Sequence, residues 1–203
     1  KNKIFLLSHF GRPQGKVVKK LSLNFIIPSL KEILAIEKVH FLKNLDSNSV
    51  KKTADKMQDG EICLFENIRF YKEEEKFDLN FAKKISELFD IYVNDAFSAS
   101  HRNHTSITGL PKFLPAIAGY HFMKEIENIN LFLDNSKKPN MAIVGGSKIS
   151  TKIQILNNLI ENFSSVAVGG AMANTFLLAN KNSIGNSLVE ENLIEEALLI
   201  EAK

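Results

Sequence analysis

Three places in the chain put cations directly after a short apolar run. Ser8-His9-Phe10-Gly11-Arg12-Pro13 follows Ile4-Phe5-Leu6-Leu7, Arg69 follows Ile62-Cys63-Leu64-Phe65 through Glu66-Asn67-Ile68, and His101-Arg102 follows the run that ends at Asn94-Asp95. An arginine fork grips phosphate or carboxylate through paired charge-assisted hydrogen bonds, so three such groups together suit a small, multiply anionic ligand. Any one arginine could instead pair with a nearby acid such as Glu66 or Asp95, since surface ion pairs are common and weak. The repetition at three strand ends favours a binding site. His9 reads equally as a ligand contact or a loop support, His104 as a structural group, and Asn94-Asp95 as a pair that fixes the following loop through its backbone.

The second half carries a different constellation. Ala142-Ile143-Val144-Gly145-Gly146-Ser147-Lys148 turns from a strand toward a helix, and Val166-Ala167-Val168-Gly169-Gly170-Ala171-Met172 repeats the design one unit later. Glycines there let the backbone approach a flat or phosphorylated ligand, although a simple tight turn would use them too. Two such units in succession favour a nucleotide. Lys148 and Lys152 are spaced to share one face of a helix start, where two positive charges oppose the helix dipole unless an anion offsets them. The segment has neither the Walker A spacing nor a G-x-G-x-x-G.

These groups need elements to hold them. Short β-type runs near residues 3–7, 38–42, 61–65, 91–94, 140–144 and 165–169 alternate with helical stretches. That is the pattern of a parallel sheet with crossover helices, whose strand C-termini open on one edge. Helix starts are expected at Pro28-Ser29-Leu30, at Asn48-Ser49 and after a capping Asp78. Alternation pauses from Ala96 to Pro115, a helix is expected over Tyr120–Leu133, and the strands resume at Met141 after the turn signals Lys137-Lys138-Pro139-Asn140. The expected organisation is therefore a first lobe over 1–115, a connector helix over 116–135 and the start of a second lobe over 136–203.

Composition narrows the function classes. A chain of 203 residues with 44% apolar content can bury one large core or two small ones. A net charge of +3, with basic and acidic residues interleaved, argues against a nucleic-acid surface. No run approaches a membrane span and no signal-peptide pattern opens the chain, so the cytoplasm is the default. Cys63, the only cysteine, lies in an apolar run and reads as a buried structural thiol. Glu73-Glu74-Glu75, flanked by lysines, reads as a solvated surface.

Taken in order, Ser8–Pro13, Leu64–Phe70, Val93–Phe97 with His101-Arg102, Gly145–Lys148 with Lys152, and Gly169–Ala173 resemble the phosphoglycerate kinase family. The resemblance covers essentially the whole chain but about half of the family's length. It implies an α/β fold of two Rossmann-like parallel-sheet lobes joined by a long helix, with both lobes incomplete here. Phe10 stands where leucine is usual, Ser98-Ala99-Ser100 replaces Gly-Thr-Ala, and Lys43-Asn44-Leu45-Asp46 lacks an Asp-Cys pattern. No proposed charge contact is lost through these departures.

The resemblance further implies reversible phosphoryl transfer between 1,3-bisphosphoglycerate and ADP, giving 3-phosphoglycerate and ATP. Its partners would be those metabolites, with Mg2+ arriving with ATP or ADP and no metal ligand within this chain. It implies a monomer. Residue by residue, it makes His9, Arg12, Arg69 and Arg102 the substrate contacts. It assigns Gly145, Gly146, Lys148, Lys152, Gly169 and Gly170 to nucleotide, with Lys152 the catalytic contact to the transferring group. The family's upstream Asp-x-Asn segment and downstream acidic metal-nucleotide ligand fall outside these residues, so the 203 residues taken alone are expected to be an inactive fragment. The alternative is a non-catalytic Rossmann-type module that binds an anion or nucleotide.

Overall fold

The computed structural model describes residues 2–133 and 138–203. The chain divides into two compact units, Lys1–Lys124 and Glu125–Lys203. In the first, β1 (Ile4–Leu6), α1 (Ile27–Leu34), β2 (Val39–Leu42), α2 (Ser47–Lys56) and β3 (Ile62–Phe65) alternate. They are followed by α3 (Lys72–Glu75), α4 (Leu79–Ser86), β4 (Tyr92–Asn94), β5 (Ala116–Ala118) and α5 (Tyr120–Leu133), which ends within the second unit. The second unit continues with β6 (Met141–Gly145), α6 (Ile153–Asn162), β7 (Ser165–Gly169), α7 (Met172–Ala179) and α8 (Ile194–Glu201). Of the expected connector over 116–135, residues 134 and 135 lie outside the described residues, as do Ser136 and the Lys137 of the turn signal.

All strand pairs are parallel, so the fold is α/β as expected. They form three small sheets, in the orders β1-β3-β2, β4-β5 and β6-β7. The central strand β3 is buried along its whole length, which is why its four residues read as an unbroken apolar run. Cys63 lies there with no exposed surface, and burial pushes its thiol up to about 12. Strand β5 was not expected: Ala116-Ile117-Ala118 is short, follows Pro115 and acquires its identity only by pairing with β4.

Local signals set most helix starts. Pro28 occupies the first turn of α1, where its missing N–H costs nothing. Asp78 caps α4 by accepting from the Phe81 N–H at 2.9 Å. Helix α2 begins one residue earlier than Asn48-Ser49 suggested, because Asp46 is the cap and accepts from the Ser49 N–H at 2.9 Å. In the second unit Ile149, Leu156, Met172, Ala197 and Ile200 form the core that joins α6, α7 and α8 to β6 and β7.

At the start of β3, Glu61 accepts hydrogen bonds from His40 Nε2 at 2.8 Å, the Gln58 N–H at 3.1 Å and Lys38 Nζ at 3.3 Å. The His40 bond first, then Gln58 and Lys38, hold its carboxyl from 4.5 down to about 2. A depressed carboxyl stabilises the fold above its unfolded value and loses that contribution as pH falls toward the folded one. The melting temperature is therefore expected to drop between pH 4.5 and about 2, and Glu61→Gln to flatten that slope, as thermal melts across this range would reveal. A slope unchanged by the substitution would refute the assignment.

Candidate functional site

The turns after β1 and β3 are built against each other. The Ile68 N–H donates to the Ser8 carbonyl at 3.1 Å, and the Gly15 N–H donates to the Arg69 carbonyl at 3.2 Å. Asn67, fully buried, ties them further. Its Nδ2 donates to the carbonyls of Phe10 at 2.7 Å and Leu21 at 2.9 Å, while its Oδ1 accepts from the N–H groups of Arg69 and Phe10 at 3.2 and 3.3 Å. Every polar atom of that side chain is thereby used. Glu66 holds the same junction, accepting from Ser22 Oγ at 2.6 Å and from the Leu23 and Asn67 N–H groups at 2.8 Å.

Glu66 is thus not an ion-pair partner for an arginine. Neither is Asp95, whose Oδ1 accepts from the Phe122 N–H at 2.9 Å in the first turn of α5. Asn94 accepts from the Ala96 N–H at 3.0 Å and donates to Ser100 Oγ at 3.2 Å. The two residues after β4 fix the following loop, as expected.

Arg69 is 3% exposed, and its Nη1 donates to the Gly11 carbonyl at 2.8 Å. Nε lies 3.5 Å from a Glu75 oxygen, an ion-pair distance too long for a hydrogen bond, and neither Nε nor Nη2 has a hydrogen-bond partner. Unmet buried donors cost about 1–3 kcal/mol each, more when charged. Burial first, then the charge of Arg102, press Arg69 below its ordinary value, opposed by Glu75 and Glu74. Arg12, exposed in the loop after β1, adds to the same pressure. His9 is held below 6.5 by burial, then by Arg69, Arg102 and His104. The four expected contacts His9, Arg12, Arg69 and Arg102 therefore share one electrostatic neighbourhood. His101 is exposed and enters none of these interactions.

The acidic run is solvated only in part: Glu75 is exposed, as expected, whereas Glu74 is buried. Glu74, 2% exposed, accepts from the Ser106 N–H at 2.9 Å and Ser106 Oγ at 2.6 Å, with His104 Nδ1 3.7 Å away. Thr105 Oγ1 donates to the Glu73 carbonyl at 2.7 Å and accepts from the Asp78 N–H at 2.9 Å. The segment that follows Arg102 is thereby fastened to α3 and the start of α4. Composition hid this role, because burial of the central glutamate depends on a partner 32 residues away.

In the second unit, Gly145 pairs with Gly169 in the parallel register, so the two glycine turns stand side by side. Gly170 has φ +69°, and a Cβ there would come within 2.8 Å of the Gly146 carbonyl oxygen. Beside Gly145 and Gly169 the space is open. The stem of Lys152 lies over Gly146, where a Cβ would sit 3.1 Å from its Cε. One glycine of each pair thus serves the contact between turns, and the other borders open space.

The helix-face reading of Lys148 and Lys152 is corrected. Residues 146–152 form an irregular loop, and α6 starts at Ile153 with Lys152 as its cap residue. Ile149, fully buried, anchors the loop in the core, so the lysines flank an anchored residue instead of stacking along a helix.

Parallel α/β units with cations and glycine turns gathered at strand C-termini have the layout in which open α/β proteins place their ligands. Comparison with known proteins sharpens this class. The phosphoglycerate kinase family matches residues 1–203. The phosphoglycerate kinase of Caulobacter vibrioides (strain NA1000 / CB15N) is 45% identical over 195 residues, covering 96% of this chain and 49% of its own length. That of Sinorhizobium fredii is 46% identical over 195 residues, with the same coverage. The structure of phosphoglycerate kinase from Coxiella burnetii superposes with a TM-score of 0.81 at 38% identity, over 98% of this chain and 50% of that one. The Pyrococcus horikoshii enzyme, at 24% identity and a TM-score of 0.79, shares the fold. The chain belongs to the phosphoglycerate kinase family and spans about half the length of the curated relatives it matches.

Because burial first, and then the neighbouring cations, lower the His9 pKa, a bound anion should raise it, and anion affinity should strengthen as pH falls and the ring takes up its proton. Ring NMR titration with and without sulfate measures both. A His9 pKa indifferent to saturating sulfate would separate it from the anion site.

Proposed function

We propose that the full-length protein catalyses reversible phosphoryl transfer between 1,3-bisphosphoglycerate and ADP, giving 3-phosphoglycerate and ATP. The observation that carries this reading is Arg69, a buried guanidinium with two unmet donor nitrogens, set among His9, Arg12 and Arg102. Such a cluster suits a small molecule with both phosphate and carboxylate groups. In this reading residues 1–115 are the substrate lobe, 116–135 the connector and 136–203 the first part of the nucleotide lobe, and the protein is a cytoplasmic monomer.

The nucleotide is assigned to the open space beside Gly145 and Gly169, with Gly146 and Gly170 shaping the turns. Lys148 and Lys152 fit its phosphates by charge, and no residue here is assigned to hold the magnesium. When bound, magnesium would neutralise charge on the nucleotide phosphates. The attacking oxygen belongs to an ionised carboxylate or a nucleotide phosphate, so no general base is required. Lys152 stabilises charge on the transferring group, Lys148 holds nucleotide phosphate, and the arginines orient the substrate.

ATP consumption driven by 3-phosphoglycerate tests the reading in the full-length protein. Lys152→Ala is expected to lower kcat by about a hundredfold or more, with far less effect on 3-phosphoglycerate binding. Equal losses in both would remove the transition-state role. Absence of turnover in a folded, full-length protein would favour a module that only binds. Arg102→Ala is expected to weaken 3-phosphoglycerate binding by at least roughly tenfold while leaving ADP affinity intact, as calorimetry with each ligand would show. An unchanged substrate affinity would take Arg102 out of the site.

A further inference from the structure

The loop that carries Lys148 and Lys152 has no regular secondary structure to hold it, so its shape depends on what pins it. The carbonyl of Gly146 accepts from the Met172 N–H at 2.9 Å, which ties the loop's start to the first turn of α7. Ile149 is buried in the core. The third pin comes from far along the chain. Glu190 accepts from Ser150 Oγ at 2.7 Å through one carboxylate oxygen and from the Ser150 N–H at 3.1 Å through the other. Ser150 lies midway between the two lysines.

Glu190 is itself held in place. Its N–H donates to Thr175 Oγ1 at 3.3 Å, and Asn174 Nδ2 donates to the Leu188 carbonyl at 2.9 Å. Asn174 and Thr175 belong to the α7 turn that follows Gly169-Gly170. The hydrogen bonds thus close a circuit: lysine loop, Glu190, α7, and back to Gly146 through Met172. The two-pronged bond to Ser150 holds the Glu190 carboxyl below its ordinary value, and Lys148 adds to the effect.

We propose that Glu190 is a positioning residue that sets the lysine loop for phosphate and couples it to the second glycine turn. It contacts no reacting atom and acts through Ser150. The proposal rests on the assignment of Lys148 and Lys152 to nucleotide phosphate. A carboxylate bonded between the two lysines of the loop, at Ser150, and coupled to Lys148 also has an opposite reading, as a stand-in that competes with phosphate for the Ser150 donors. The two readings differ in sign. Loss of a positioning residue weakens phosphate binding, whereas loss of a competitor tightens it.

The test measures MgADP affinity and kcat in the full-length protein for Glu190→Ala, Glu190→Gln, Ser150→Ala, the Glu190→Ala/Ser150→Ala pair and Lys152→Ala. Glu190→Ala and Ser150→Ala should each weaken MgADP by about tenfold, as expected for loss of a charge-assisted hydrogen bond. The pair should be no worse than either single change, since both break one link. Glu190→Gln, which retains an acceptor, should recover most of the loss, and 3-phosphoglycerate affinity should not move. If Glu190→Ala fails to fold, Ser150→Ala and Glu190→Gln carry the same comparison. Unchanged or tighter MgADP binding, or additive losses in the pair, would overturn the proposal. Lys152→Ala separates the two levels: if it leaves both MgADP affinity and turnover intact, the nucleotide assignment itself has failed.

Discussion

A guanidinium carries its full charge wherever the fold puts it, and burying one is tolerated only if its donors find acceptors. Arg69 meets that condition only in part: one nitrogen donates to a carbonyl and another stands 3.5 Å from Glu75, but neither that nitrogen nor the third makes a hydrogen bond. Much of the first unit is arranged around holding it there. Asn67 and Glu66 use every available bond to lock the turns after β1 and β3, which fixes Gly11, and with it the one carbonyl Arg69 reaches. Glu75 and Glu74 oppose, without reversing, the pressure that burial and Arg102 put on the Arg69 charge. The fold thereby holds a cationic neighbourhood with donors left unsatisfied.

The second unit meets a different constraint, the close approach of two backbone turns. The parallel register sets Gly145 beside Gly169, and the contact between Gly146 and Gly170 leaves no room for a side chain. Because those turns are bonded to each other and to α7, the lysine loop inherits their rigidity at one end. Its middle is fixed by the buried Ile149 and by Glu190. In the proposed function the lysines must be held in place before phosphate arrives, and a loop pinned in this way would provide that without a helix beneath them.

How legible this was in the sequence varied with the range of the interactions. The run Ile62–Phe65, the first-turn Pro28, the cap at Asp78 and the helix Tyr120–Leu133 express local propensity, and each appears where the residues put it. Strand β5 was illegible because three small or apolar residues become a strand only beside β4. The i, i+4 spacing of Lys148 and Lys152 suggested a helix, yet burial of Ile149 and the Ser150 bonds to Glu190 keep residues 146–152 irregular. Charge pattern misjudged Glu74, though not the exposed Glu75, for a related reason: solvation is the default for such a run until a distant Ser106 supplies donors.

By itself the sequence determined the parallel α/β character, the placing of His9, Arg12, Arg69 and Arg102 after strands, the two glycine pairs, and family membership. All of these rest on residue type and local order, which survive without knowledge of partners. Only the tertiary structure decided which acids serve the arginines and which serve the backbone, which glycine of each pair is required by contact, and what holds the lysine loop. Those outcomes depend on atoms brought together from 32, 40 or 58 residues apart, and no local propensity encodes a distance.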